Sequence, residues 1–389
     1  MRLFLIAGEP SGDALGAALM AGLKALVPGV AFEGVGGPLM AAEGMESLFP
    51  MEELSIMGLA EILPKYFPLK RRIRETAEAI ARAQPAAVIT IDSPDFCLRV
   101  LALARTADPG LKTVHYVAPS VWAWRPGRAM KMARWVDHVL ALLPFEPPYM
   151  QAAGMSCDFV GHPVAAEPVA SEAEVAAFRA EYGLEGAPLL LVLPGSRRGE
   201  IERLGPVFGE VLRGLAVPGL RLVVPTVASR AGQVRALVAD WPGAPVVLDA
   251  AEVPVAVKRA AFGAADAALA ASGTVSLELA AAGTPMVIAY RMAALSQAII
   301  GRMLKIDTVT LVNLVSETRA VPEFIGPACR AEAIAPAVQA LLAGGPSRAA
   351  QEAAMALTMD RLGRGGEAPG LRAARSVLGY LGGPGARGD

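Results

Sequence analysis

Residues 193–201 read Leu-Pro-Gly-Ser-Arg-Arg-Gly-Glu-Ile, and residues 272–278 read Ser-Gly-Thr-Val-Ser-Leu-Glu. Each segment follows an apolar run, Pro188–Leu193 or Ala264–Ala271, and opens onto a helical pattern. A strand that turns through Gly and Ser into a helix leaves backbone N–H groups and the positive end of the helix dipole facing outward. Two such ends, with Arg197 beside one of them, form a seat for a diphosphate. Ser196 belongs to the first end, and Ser272, Gly273 and Thr274 to the second. Glu278 lies four residues after Thr274 and so shares its helix face, where it can accept hydrogen bonds from sugar hydroxyls. The combination predicts a nucleotide-sugar site.

The same alternation of short apolar runs and helical stretches extends in both directions. Upstream, strands are expected at Leu3–Ala7, Ala31–Val35, Ala86–Ile91, Thr113–Val117, His138–Leu143 and Cys157–Val160, with helices such as Gly12–Leu26, Leu69–Ala83 and Phe96–Arg105 between them. Pro163–Ser171 breaks the pattern as a linker. Beyond it, strands are expected at Pro188–Leu193, Arg221–Val224, Pro245–Leu248, Ala267–Ala270 and Pro285–Ala289. Helical stretches near Ala331–Ala343 and Ser347–Leu362 and a Gly-rich tail close the chain. The fold class is therefore α/β, with two Rossmann-like domains facing across a cleft (the GT-B type) and C-terminal helices. The expected domains are 1–165, 172–345 and a C-terminal segment 346–389. The two late helical stretches are candidates to cross between domains or subunits, which leaves a homodimer open.

Composition narrows the class. The 389 residues are 54% hydrophobic and 19% charged, which excludes disorder. No apolar stretch reaches the charge-free length of a spanning helix, and Glu9 interrupts the apolar start too early for a signal peptide. A net charge of −1 gives no nucleic-acid footprint. Cys97, Cys157 and Cys329 are scattered and odd in number, which points to neither a disulfide nor a zinc site, and by default to the cytoplasm.

Several first-half segments admit a functional and a structural use. Ala7–Gly16 (Ala-Gly-Glu-Pro-Ser-Gly-Asp-Ala-Leu-Gly) is a strand, a Gly-rich turn and a helix start, in which Ser11 or Asp13 caps the helix and Glu9 is poised at the strand end. It matches neither the dinucleotide fingerprint nor the P-loop. Asp92, in Ile-Asp-Ser-Pro-Asp-Phe, ends a strand where open α/β sheets place their chemistry, and either caps or catalyses. Trp122 and Trp124 beside Arg125 form a sugar-stacking or phosphate-contacting loop, or ordinary aromatic packing. The apolar stretch Leu54–Leu69, including Ile56, Leu59 and Leu63, precedes Lys70, Arg71, Arg72 and Arg74. It suits an interfacial or acyl-chain surface, or an internal helix, and Pro64 and Pro68 argue against a long amphipathic helix. Asn313 can reach a ligand or serve as a local cap.

These motifs, taken in order with Met-Gly-Leu-Ala-Glu-Ile-Leu, His-Tyr-Val-Ala-Pro-Ser-Val-Trp-Ala-Trp-Arg, Leu-Leu-Pro-Phe-Glu, Phe-Val-Gly-His-Pro and Ala-Tyr-Arg-Met, closely resemble the lipid-A-disaccharide synthase family from Leu3 to about Ile325. The resemblance implies an inverting, UDP-sugar-dependent glycosyltransferase. It would transfer 2,3-diacylglucosamine from UDP-2,3-diacylglucosamine to the 6-hydroxyl of 2,3-diacylglucosamine 1-phosphate, giving a β-1,6 disaccharide and UDP. It further implies a peripheral contact with the anionic cytoplasmic face of the inner membrane of a Gram-negative bacterium. Asp92 then matches the general base, with Glu9 the competing position, while Arg197 and Asn313 match positions on the donor side. Ser11, Trp122, Trp124 and Arg125 fall to the acceptor or lipid side. Cys97 stands where the family pattern has Asn. No Asp-x-Asp motif occurs in a suitable setting, so no metal or other cofactor is expected, and turnover should resist EDTA. Rival expectations are a UDP-sugar epimerase or hydrolase on the same fold, and a non-catalytic lipid- or nucleotide-binding protein.

Overall fold

The computed structural model describes residues 1–54, 59–122, 127–291 and 307–382, with the backbone alone for 59–66. The chain divides into two compact units, Met1–Ala166 with Gly365–Asp389, and Glu167–Arg364.

In the first unit, six strands form one parallel sheet: β1 (Arg2–Ala7), β2 (Ala31–Val35), β3 (Ala87–Ile91), β4 (Thr113–Tyr116), β5 (His138–Ala141) and β6 (Ser156–Phe159). Helices α1 (Pro10–Leu26), α2 (Pro38–Ala42), α3 (Leu59–Ala83), α4 (Pro94–Ala107), α5 (Gly127–Met132) and α6 (Pro147–Ala152) connect them. The strand order is β2-β1-β3-β4-β5-β6. Every residue of β3, β4 and β5 is buried, as expected of parallel strands covered on both faces. The order reverses between β1 and β3, and at such a switch point the outgoing loops splay apart to leave a crevice. The last helix of the chain, Pro369–Leu381, also belongs here. It buries Ala373, Ala374, Val377 and Leu378, and its Tyr380 ring stacks on His138 at 5.2 Å.

Two expectations change in this unit. Helix α3 runs unbroken from Leu59 to Ala83 through Pro64 and Pro68. Each internal proline forfeits one backbone hydrogen bond, at roughly 3 kcal/mol, but the following turns continue and are anchored by Ile73, Thr76, Ala77, Ala79 and Ile80 in the core. Asp13 does not cap its own helix. Its buried carboxylate accepts from Gly37 N (2.9 Å), Leu39 N (2.9 Å) and Met40 N (3.0 Å), and so caps α2.

The second unit begins with α7 (Glu172–Glu181), whose start carries a capping box between Ser171 and Glu174. Its strands are β7 (Leu189–Leu193), β8 (Arg221–Thr226), β9 (Val246–Asp249), β10 (Ala267–Ala271), β11 (Met286–Tyr290) and β12 (Glu323–Ile325). The helices that follow α7 are α8 (Arg198–Gly214), α9 (Ala231–Val238), α10 (Val255–Ala264), α11 (Val275–Ala282), α12 (Leu311–Ser316), α13 (Ala331–Leu342) and α14 (Pro346–Arg361). The order β12-β11-β10-β7-β8-β9, parallel throughout, is that of a doubly wound sheet with its switch point between β7 and β10. Both central strands are wholly buried, and Ala at four of the five β10 positions lets the flanking helices lie close. Among the described residues, no helix is long and apolar enough to cross a membrane.

Candidate functional site

The switch point of the second unit is where the two opening motifs meet. The loops after β7 and β10 line one cavity of about 490 Å³, with Ser196, Arg197, Ser272, Gly273, Thr274 and Glu278 all on its wall. Strands β7 and β10 are direct neighbours, with Leu193 opposite Ala270, so both chains leave the sheet side by side. The far wall is apolar and includes Pro225, Val227, Leu248, Val253 and Phe262. A flat apolar end joined to a donor-rich end suits a base and a phosphate chain.

The two helix starts are not equivalent. At the first, the Glu200 carboxylate, only 7% exposed, folds back over the loop. It accepts from Ser196 N (3.3 Å), Arg197 N (3.2 Å) and Arg197 Nη1 (3.0 Å). The amide donors expected to face a phosphate at Ser196 are therefore already paired, which corrects the expectation of two open ends. Gly195 permits the arrangement, since it holds φ +115° and a Cβ there would lie 2.7 Å from that of Glu200. At the second start, Thr274 precedes α11 without a side-chain cap. The amides of Gly273, Thr274 and Val275 donate to no described acceptor, so this end keeps its anion-binding capacity. Arg197 is 82% exposed and supplies a guanidinium from the opposite loop.

One turn along α11, Glu278 pairs with Lys258 Nζ at 2.5 Å, and that ammonium lies over the Phe262 ring at 5.1 Å. The pair holds the carboxylate on the cavity wall. Asn313 is not on that wall. It is buried in α12, with Nδ2 donating to Val321 O (2.9 Å) and Glu323 Oε1 (2.9 Å) and Oδ1 accepting from Val321 N (3.0 Å). Its amide is spent on joining α12 to β12, which leaves it no direct ligand contact from there.

At the switch point of the first unit, Ala7 of β1 lies opposite Ile91 of β3, so Gly8–Glu9 and Asp92–Ser93 emerge together. Gly8 and Ser93 are in close approach, since a Cβ on Gly8 would lie 2.7 Å from Ser93 Oγ. Asp92 and Ser93 both hold positive φ, +50° and +43°, a strained pair for non-glycine residues. The strain is held by Asp92 N donating to Tyr116 O at 3.0 Å and by Cys97 N donating to Ser93 O at 3.1 Å. Asp92 is half-buried, while Glu9 and Ser11 are exposed at the start of α1. Burial first, then the Asp92 charge, pushes the Cys97 thiol well up, so it stays neutral. Trp122 sits edge-on to Phe145 with centroids 5.3 Å apart. Trp124, Arg125 and Ile56 lie outside the described residues, and the side chains of Leu59 and Leu63 do as well.

Three groups near this sheet end carry shifted acidities that motif reading misses. Glu146, beyond the end of β5, is buried and accepts from Leu143 N at 2.9 Å; burial raises its carboxyl to about 7. Burial lowers His115 to about 4, and its Nδ1 lies 2.7 Å from Thr90 Oγ1. His162 is also lowered to about 4 by burial, with Nδ1 accepting from Val164 N. Both imidazoles are neutral at physiological pH and serve as fixed hydrogen-bond partners. Among the described residues, no group of three or more His, Cys, Asp and Glu side chains is placed to hold a metal ion.

Comparison with known proteins decides the family. The profile described as lipid-A-disaccharide synthetase matches residues 3–368. The chain belongs to the lipid-A-disaccharide synthase family. A lipid-A-disaccharide synthase from Ruegeria pomeroyi is 65% identical over 387 residues, covering 98% of this chain and 96% of that protein. Members of this family are glycosyltransferases of lipid A biosynthesis. Among solved structures, the fold is shared with UDP-GlcNAc 2-epimerase from Neisseria meningitidis bound to UDP-GlcNAc (TM-score 0.61, 10% identity, 98% and 99% of the two chains). It is shared equally with a glycosyltransferase from Rickettsia africae (TM-score 0.60, 14% identity, 98% of both chains). At such identities the likeness is one of fold, and it fits two doubly wound sheets of the GT-B type.

Proposed function

We propose that this protein transfers 2,3-diacylglucosamine from UDP-2,3-diacylglucosamine to the 6-hydroxyl of 2,3-diacylglucosamine 1-phosphate with inversion, giving a β-1,6-linked disaccharide 1-phosphate and UDP. One observation carries the donor half of this proposal: both strand-to-helix loops and Glu278 surround a single cavity at a switch point, in a chain of this family. The diphosphate lies against the open amides of Gly273, Thr274 and Val275, within reach of the Arg197 guanidinium and the hydroxyls of Ser196 and Ser272. Glu278 accepts from the ribose diol, and uracil fills the apolar end between Pro225 and Leu248.

The acceptor chemistry falls to the strained switch point of the first unit. The acceptor hydroxyl attacks the anomeric carbon and gives its proton to the Asp92 carboxylate. The new C–O bond forms as the bond to the β-phosphate oxygen breaks, and that oxygen leaves with the electron pair. Donors fixed in advance around the diphosphate stabilise the charge that develops there. Glu9 stands beside Asp92 and is the alternative base, and Ser11, Trp122, Trp124 and Arg125 are assigned to the acceptor side.

Lipid access is assigned to α3. Phe67 is 78% exposed, and Lys70, Arg71 and Arg74 are exposed at positions three, four and seven residues further on. That spacing puts an aromatic ring and three cations on one helix face, as an anionic membrane surface requires. Arg72 points elsewhere and is consumed by Glu53 (2.7 Å) and Glu75 (2.7 Å). Ile56, Leu59 and Leu63, which precede Phe67 in sequence, are assigned to acyl-chain contact, on the cytoplasmic face of the inner membrane.

Ligand-induced stabilisation tests the donor site. UDP at 100 times its dissociation constant should stabilise the folded state by about 2.7 kcal/mol and raise the melting temperature. Glu278→Gln should require more UDP for the same shift. A melting temperature indifferent to UDP would contradict the assignment.

A further inference from the structure

We infer that Glu200 is a positioning residue for donor binding, acting through Arg197; this rests on the UDP-sugar reading above. The carboxylate sits under the β7–α8 loop, nearly out of water, and makes three contacts with two consecutive residues. Two of them pair the amides of Ser196 and Arg197. The third, to Nη1, holds a guanidinium whose side chain is otherwise 82% exposed.

An exposed arginine samples many rotamers, and fixing it on arrival of a ligand costs roughly two- to ten-fold in affinity. A buried carboxylate that grips one edge of the fork meets part of that cost beforehand and leaves the other nitrogens free for phosphate oxygens. The negative charge at this helix start also complements the α8 dipole, so the loop needs no phosphate to complete it. The two loops therefore divide the work. The α11 start offers backbone amides, whereas the α8 start offers a guanidinium on a pre-formed carboxylate mount. Gly195 is part of the mount, because a side chain there would displace Glu200.

The rival account makes Glu200 a placeholder that occupies the phosphate seat until the diphosphate evicts it. The two accounts differ in sign. A mount lost in Glu200→Gln weakens UDP binding, whereas a removed competitor strengthens it.

The experiment is calorimetric titration of UDP into the full chain as wild type, Glu200→Gln, Arg197→Ala and the double variant. The steady-state parameters for the UDP-sugar are measured on the same four proteins. Glu200→Gln is isosteric and should fold, which circular dichroism checks; Glu200→Asp, one methylene shorter, is the second probe and should also lose affinity. The expected result is a roughly three- to ten-fold loss of UDP affinity in Glu200→Gln, a raised KM and a kcat within a few-fold of wild type. In the Arg197→Ala background the same change should cost less than about two-fold, because the two residues act as one unit. Additive losses, unchanged affinity or tighter binding would overturn the inference while leaving the donor site intact. Absence of UDP binding in the wild type would instead overturn the donor assignment, and this inference with it.

Discussion

At the scale of single residues, the proposed chemistry rests on carboxylates and on one guanidinium. Asp92 is distinguished from the many strand-end acids by its backbone, since it and Ser93 both occupy the left-handed region in a chain where either could have been glycine. Asp92→Asn should preserve folding and the response to UDP while lowering turnover by roughly 10²–10⁴. Near-normal turnover would shift the base to Glu9, its neighbour across β1 and β3. Arg197→Ala should weaken UDP binding about 10- to 100-fold, the usual range for one charge-assisted hydrogen bond. Because the side chain is so exposed, the same change should scarcely move the melting temperature. Glu146 makes a different prediction. Its folded carboxyl titrates near 7 rather than near 4.5, so it binds its proton more tightly in the folded state than in the unfolded one. The stability this confers is fully present below about pH 4.5 and is lost as pH rises through 7, by up to about 3 kcal/mol. Glu146→Gln should flatten the pH dependence of stability across that window, as followed by urea denaturation at pH 5 and pH 8. An unchanged slope would contradict the shift.

At the scale of elements, the strands were the most legible part. Of the twelve strands among the described residues, eleven are apolar-rich runs four to six residues long, most of them buried, and their expected positions agree with the observed ones to within a residue or two. The twelfth, Glu323–Ile325, has only three half-buried residues after a proline, so its period carries no signal. Helix α3 hid its first turns behind two prolines, which local propensity counts as breaks and tertiary packing overrides. The loops after β7 and β10 were legible because Gly and Ser after an apolar run mark a strand-to-helix turn. Which of their amides stay open was not. That depends on Glu200 folding back three residues, and on Asn313 finding β12 ten residues away, both tertiary outcomes that no residue type announces. The exposed face of α3 is likewise a matter of packing, because only the folded helix separates Arg72 from Arg71 and Arg74. Replacing Phe67 with Ser and Lys70, Arg71 and Arg74 with Gln should sharply reduce co-sedimentation with anionic vesicles. Since each basic residue near such a surface is worth about 1 kcal/mol, the loss should be greatest at low salt. Undiminished sedimentation would locate the membrane contact elsewhere.

At the scale of the whole molecule, two doubly wound sheets each bring their candidate site residues together at the switch point, where the strand order reverses. The second sheet presents an uncapped helix start, the Arg197 guanidinium and the Glu278 carboxylate around one cavity. The first presents two carboxylates, Glu9 and Asp92, just beyond the ends of adjacent strands. The family model spans both units, from residue 3 to residue 368, and the proposed reaction, with a UDP-sugar donor and a phosphorylated, acylated glucosamine as acceptor, draws on both. The most direct test is to incubate the protein with UDP-2,3-diacylglucosamine, with and without 2,3-diacylglucosamine 1-phosphate. Released UDP is measured, and the lipid product is weighed by mass spectrometry. UDP release that depends on the acceptor, together with a tetraacyl disaccharide monophosphate, is the predicted result. UDP release without acceptor, or no release from either mixture, would contradict it.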